Sequence, residues 1–309
     1  MAAQDPATPP APPGPGLDAC SAGSGVRAET AAALQAVHSR FGFETVPQTG
    51  PDWHPYAALT DGRIHAWSVE LVDGGRAPAE VGASLASGLL GPVVRPLAVG
   101  FVLLRRLPVV TTDTVAVRRR GRLTDRAALT GEVAVLADDP AAGAPGSTVV
   151  PDLRTELATR LAALAAPVLD EIHRATRYGR RNLWGGLGDV LSSHALWAAR
   201  HRADDPAALH AVFDEVQRVM DLVTEIIDLR VDRPVPFPLV GRARRSLGQV
   251  RGTCCLHYRI PGRTEADGRP RYCASCPLIS DDERRRRMRT LVEDAAPIGR
   301  TAHLGMPTL

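Results

Sequence analysis

The chain has no lysine: all 37 of its basic residues are arginine. That absence excludes Schiff-base chemistry, a lysine general base and a P-loop lysine on phosphate. G-x-G-x-x-G, H-E-x-x-H and G-x-S-x-G are also missing, which removes the dinucleotide fingerprint, the zincin helix and the nucleophile elbow. A net charge of only +3 gives no global basic field for nucleic acid. No apolar run reaches the roughly 18 residues needed to span a bilayer. The N-terminus lacks a basic stretch followed by an apolar one, and Leu17-Asp18-Ala19-Cys20 follows Pro and Gly instead of an apolar segment. Cys20 therefore reads as a spare thiol. The expectation is a cytoplasmic protein with no stable membrane insertion and no nucleic-acid partner.

What is present suits a globular enzyme-sized chain: 309 residues, 44% apolar and 23% charged, enough for one large or two modest domains. Residues 1–25, rich in Pro, Ala and Gly, cannot form a core and read as a disordered tail. A helix is expected over 27–41, carrying Ala31, Leu34, Val37, His38 and Phe41 at helical spacing and ending by Gly42. From 63 to 136 the pattern reads as β-type. Ile64–Val72 alternates, Val93–Leu104 is strongly apolar, Val109–Arg118 is rich in Val and Thr, and Glu132–Leu136 is short, with a helix over Pro78–Leu90 between them. Arg118–Arg122 reads as a solvated hairpin end, or else as a docking patch for an acidic electron donor. Asp138–Ser147 reads as a linker or long loop.

The second half reads as helical. Leu153, Leu157, Leu161, Leu164, Val168 and Ile172 form one stripe behind Asp152 as cap; Leu183, Leu187, Val190, Leu191 and Leu196 form another. Asp205-Pro206 opens a third, carrying Leu209, Val212, Phe213, Val216, Val219, Met220, Val223 and Ile227, and three prolines within 233–238 end it. Ser280-Asp281-Asp282-Glu283 is a capping box opening a last helix. The predicted fold class is α+β: an N-terminal antiparallel sheet with helices, then a helical bundle, then a short Cys-rich segment. The boundaries expected are 26–137, a linker at 138–150, a helical domain at 151–240 and the C-terminal segment at 241–309.

That segment carries four of the five cysteines, Cys254, Cys255, Cys273 and Cys276. A C-x-x-C turn brings two thiolates onto one ion at about 2.3 Å. Adjacent Cys254 and Cys255 point to opposite faces of an extended backbone. That is awkward for one tetrahedral ion and easier for a [2Fe–2S] core, which takes four thiolates. Structural zinc is the competing reading. Two disulfides are disfavoured without a secretory signal, and four inert buried thiols are disfavoured by the scarcity of free cysteine.

At these residues the chain resembles the FhuF-like ferric siderophore reductases, whose members end in C-C-x10-C-x2-C. Leu256, Tyr258, Tyr272 and Pro277 resemble the motif's surroundings, while the spacer here is seventeen residues, its excess around 262–270 polar and turn-forming. The resemblance implies a [2Fe–2S] cluster on Cys254, Cys255, Cys273 and Cys276 that reduces siderophore-bound iron, with no catalytic residue beyond the cluster. Its partners would be the ferric siderophore and an electron-donor protein or other reductant. Arg180–Gly185 resembles, less closely, a Trp-Gly helix start of that family. Trp184 can then stack on a chelate while Arg180 or Arg181 attracts its anionic groups, or Trp184 anchors a core and the arginines are solvated. Arg242, Arg244 and Arg245 pose the same choice, so the candidate substrate residues are Arg181, Trp184 and Arg245. Arg251, His257 and Arg259 are the nearest groups able to tune a cluster potential.

The function expected is one-electron reduction of ferric siderophore in the cytoplasm, releasing Fe(II) for iron uptake. The alternative is a non-enzymatic iron–sulfur or structural zinc sensor or adaptor. A siderophore-assembly enzyme would need nucleotide, and the missing lysine and Gly-rich loop count against it.

Overall fold

The computed structural model describes residues 25–293 apart from 203, 204, 243 and 261. The expected tail at 1–25 lies outside them except for its last residue, as does Cys20. The elements run α1 (Val26–Val37), β1 (Trp53–Pro55), α2 (Arg63–Asp73), α3 (Pro78–Leu104), β2 (Leu107–Pro108), β3 (Val115–Arg120), β4 (Leu123–Leu129), β5 (Val133–Val135) and β6 (Ser147–Val149). There follow α4 (Leu153–Thr176), α5 (Arg180–Arg200), α6 (Pro206–Ile227), β7 (Val235–Val240), β8 (Arg245–Val250), α7 (Asp281–Arg287) and α8 (Thr290–Glu293).

The fold is mixed α+β. β1, β3 and β4 form an antiparallel sheet; β2, β5 and β6 form a second, with β5 and β6 parallel; β7 and β8 form a hairpin. Three helices, α4, α6 and α7, start where short polar side chains satisfy their first N–H groups. Asp152 accepts from Arg154 and Thr155, Asp205 from Ala207 and Ala208, and Ser280 from Glu283. The stripe from Leu153 to Ile172 is buried along α4, as expected.

Two expected strands are helices. Ile64–Val72 lies in α2, which buries Ile64, Trp67, Ser68 and Leu71 at helical spacing and leaves Val69 and Val72 exposed. Val93–Leu104 is the second half of α3, whose first half was expected to end at Leu90. A continuous apolar run does not reveal its own period, and α3 is enclosed nearly all round, so burial overrides the interruptions at Pro92 and Pro96. α3 is also long and apolar enough to cross a membrane, against the expectation that no such run existed; Arg95 splits it in the sequence, and most of it is buried within the fold. α1 stops at Val37, so Phe41 enters the core from the following turn.

One buried cluster extends from Ala31 through α3, α4, α5 and α6 to Val231, so the N-terminal and helical segments share a core. Residues 138–150 are not a free linker. Asp139 receives both Arg106 Nε (2.9 Å) and Nη2 (2.8 Å), and β6 pairs with β5. The boundary expected at 240 falls at the tip of the β7–β8 hairpin.

Inside α5, His194 is fully buried and neither ring nitrogen has a partner among the described residues. Burial, with the charge of Arg95, holds its pKa well below the ordinary 6.5. The unfolded chain therefore binds more protons than the native one below that value, and stability falls as pH drops through it. Thermal melts from pH 7.5 to 5 should show a falling Tm, and His194→Leu should flatten the slope by one proton's share, about 1.4 kcal/mol per pH unit. An unchanged slope in the variant would contradict this.

Candidate metal centre

The cysteine segment is placed by a buried carboxylate. Asp189, on α5 and 1% exposed, accepts from Arg251 Nε (3.1 Å), Gly252 N (2.7 Å), Thr253 N (3.1 Å) and Thr253 Oγ1 (2.6 Å). Arg251, 8% exposed, cannot shed its proton, so the geometry holds an ionised pair. Burial pushes the Asp189 carboxyl up, against the charge of Arg251 and the hydrogen bonds from Thr253 and Gly252. Two glycines let the pieces touch: a Cβ at Gly185 would lie 2.4 Å from Thr253 Cγ2, and one at Gly252 would lie 2.5 Å from the carbonyl carbon of Arg233. The chain thus leaves β8 pinned to α5 and enters Cys254 one residue later. Tyr178, between α4 and α5, donates its hydroxyl to the Cys254 carbonyl (2.9 Å).

The seventeen-residue spacer is an excursion that returns. Thr264 bridges Pro270, Glu265 N donates to Arg269 O (2.8 Å), and Gly262 and Gly268 take positive φ of 79° and 81°. At its base Tyr258 stacks on Tyr272 with ring centroids 4.9 Å apart. The C-x-x-C turn that follows is anchored from below. Ala274 joins Phe237, Leu239, Met288, Leu291 and Val292 in a small core, and Arg284 Nη2 donates to the carbonyls of Cys276 (2.9 Å) and Ile279 (3.0 Å).

All four cysteines are free thiols. Their sulfurs lie near one another in one series, Cys255 beside Cys273, Cys273 beside Cys276, and Cys276 beside Cys254. Backbone N–H groups two residues on donate to three of them, Leu256 to Cys254, His257 to Cys255 and Leu278 to Cys276. The Cys276 S–H, with the Leu256 N–H and against burial, pulls the Cys254 thiol down to about 7. Donation to Cys273 and burial push Cys255 up. Cys276 is raised by its donation to Cys254, and Cys273, although it accepts from Cys255, is left raised by its own donation and by burial. Cys255 and Cys276 are buried, while Cys254 and Cys273 are half-buried. The vicinal pair splits, Cys254 toward Cys276 and Cys255 toward Cys273. Among the described residues no three His, Cys, Asp or Glu groups are assembled as a site for one metal ion. As a donor set, four reduced thiols with N–H groups aimed at sulfur have the chemistry of thiolate ligation.

A small pocket opens beside Cys254 and Cys255 between α3 and α5, with Ala83, Ser87, Tyr178, Asn182 and Gly186 on its walls. The expected substrate residues do not gather there. Trp184 is 3% exposed and belongs to the main core, so it has no face to offer a chelate. Arg180 and Arg181 are exposed and face Asp170 and Asp232. Arg245 begins β8 opposite Val240, about 17 Å of strand from Val250. Of the expected tuning groups, Arg251 lies within electrostatic reach of Cys255 and Cys273, and Arg259, lying over the Tyr258 ring, within that of Cys254. His257, driven down to about 3 by burial and by Arg263, Arg251 and Arg76, is neutral at physiological pH. Asp189, Tyr178 and Arg284 were not anticipated. The one available signal was an acid inside an otherwise apolar helical run, L-G-D-V-L.

Comparison with protein-family models, with curated proteins and with solved structures finds no match to this chain.

Asp189→Ala should leave the Arg251 charge buried and unpaired, lowering stability by about 3–5 kcal/mol in urea denaturation; a loss under about 1 kcal/mol would deny the carboxylate its role. In protein stripped of metal, alkylation at the cysteine segment should begin at Cys254, with a rate rising through about pH 7. Peptide mapping that finds Cys276 or Cys255 labelled first would contradict the contact order.

Proposed function

We propose that this chain is a cytoplasmic ferric siderophore reductase that passes single electrons through a [2Fe–2S] cluster held by Cys254, Cys255, Cys273 and Cys276. The observation carrying this reading is four free thiols brought near one another from the two ends of the spacer, with backbone N–H groups at three of them. When bound, an all-cysteine centre of this kind supplies a one-electron couple that can lie near roughly −400 mV.

The protein's own part is to hold, tune and expose. Asp189 and Arg284 fix the two ends of the thiol set, each from its own helix. N–H groups on sulfur and the buried Arg251 charge favour the thiolate form and raise the potential from what bare thiolates would give. Half-buried Cys254 beside the α3–α5 pocket offers a short way out for an electron. The substrate iron is held as Fe³⁺ by hard oxygen donors, and gaining one electron turns it into weakly held Fe²⁺. No acid, base or nucleophile is needed, consistent with the lack of any recognised catalytic motif in the sequence.

A second reading, a purely structural metal, draws support from the anchoring of the C-x-x-C turn by Ala274 and Arg284 to the small core around α7. The two separate in one experiment. Anaerobically purified protein should be red-brown, give a paramagnetic resonance signal after dithionite, and return to the oxidised spectrum on adding ferric siderophore, with Fe²⁺ trapped by a ferrous chelator. Cys276→Ser should abolish both the signal and the ferrous yield. Colourless protein with stoichiometric zinc, or a variant that loses colour yet still reduces the substrate, would favour the structural role.

A further inference from the structure

Arginines from three separate parts of the chain meet beside the α3–α5 pocket. Arg76 precedes α3 and reaches Ser84 Oγ and the Glu80 carbonyl (3.3 Å) on the helix's first turns. Arg122, from the β3–β4 turn, lies against Gly74, where a Cβ would stand 2.7 Å from its Nη2. Arg251, Arg259 and Arg263 come from the cysteine segment, whose 3-10 turn His257–Arg259 packs on α3. Arg263 Nη1 sits 3.4 Å from His257 Nδ1.

The grouping concentrates one sign of charge. Arg76 is lowered by burial and, against Glu80, by the like charges of Arg122 and Arg263; His257 is within reach of Arg263, Arg251 and Arg76. Two polar atoms are also left over. His257 is 97% buried, and neither its Nε2 nor the buried Arg76 Nε has a partner among the described residues. Converging guanidinium groups around a buried Arg76 Nε and a buried His257 Nε2 that find no partner among the described residues are the features of a site that an oxygen-bearing anion completes. Arg76 and Arg263 are half-buried and Arg251 is buried, so a small anionic group reaches them and a folded protein surface does not.

We propose that this recess binds the anionic oxygen groups of the ferric chelate and so seats the substrate beside Cys254; naming that ligand rests on the reductase reading. A trianionic chelate is then preferred over a neutral one.

Redox-inert gallium(III) complexes test this on the full chain by calorimetry, since no electron transfer is needed for binding. The trianionic gallium tris-catecholate should bind at least about tenfold tighter than a neutral gallium trihydroxamate, and progressively more weakly as salt is added. Arg76→Gln and Arg263→Gln should each cost about tenfold. The exposed Arg122→Gln and Arg259→Gln, which do not threaten folding, should each cost severalfold, while Arg245→Gln should change nothing. Equal affinity for the two complexes, or indifference of binding to all four substitutions, overturns the proposal. So does displacement of the gallium complex by an acidic electron-carrier protein with the same arginine dependence, which would assign the recess to the donor. The two readings fail separately. Colourless protein that binds the trianion through these arginines sinks the reductase and keeps the anion site. Red-brown protein that reduces ferric chelates regardless of the arginines does the reverse.

Discussion

The carboxylate of Asp189 is the constraint on which the site depends. Buried on α5, it has water on no side and must be satisfied by protein, and the four donors that do so all come from residues 251–253. A buried carboxylate and a buried guanidinium are each costly alone, so the pair is tolerated only together and only in this geometry. Because the loop it grips runs straight into Cys254, the energetic need to neutralise one helix charge fixes where the thiols begin.

The far end of the thiol set is held by different means. Arg284 spans two carbonyls and faces the Phe237 ring at 5.0 Å, while Ala274 sinks into the small core below. Between these anchors the spacer makes a closed excursion, so its added length projects away and leaves Cys255 near Cys273. Insertions that return to their own base cost little, because the loop ends are already together. The arrangement places thiol chemistry at a seam between α5, β8 and α7, with the arginine recess and the α3–α5 pocket on one flank.

Much of the helical half was legible because amphipathic period and capping agree. Leu153 to Ile172 with Asp152, and Asp205-Pro206 before Leu209 and Phe213, each give face and start together. The misread stretches were those where period is uninformative. Val93–Leu104 is apolar on every side, so strand and buried helix write the same letters, and Ile64–Val72 mixes valines that are exposed with residues that are buried. The thiol set was legible from spacing and residue type. The members of the proposed anion recess were not: Trp184 belongs to the core, and the arginines that converge, Arg76, Arg122 and Arg263, are up to 187 positions apart in the chain and carry no local signal.

By itself the sequence determined the α+β class, the starts of α4, α6 and α7, and which four thiols crowd one short segment, because period, caps and residue chemistry are local properties. Tertiary structure alone decided which sulfur touches which, that an acid on α5 rather than any neighbour in the chain positions them, and which arginines share a recess. Those are through-space matters: the energy of a buried charge depends on what surrounds it, and its surroundings come from segments that the order of residues does not place side by side.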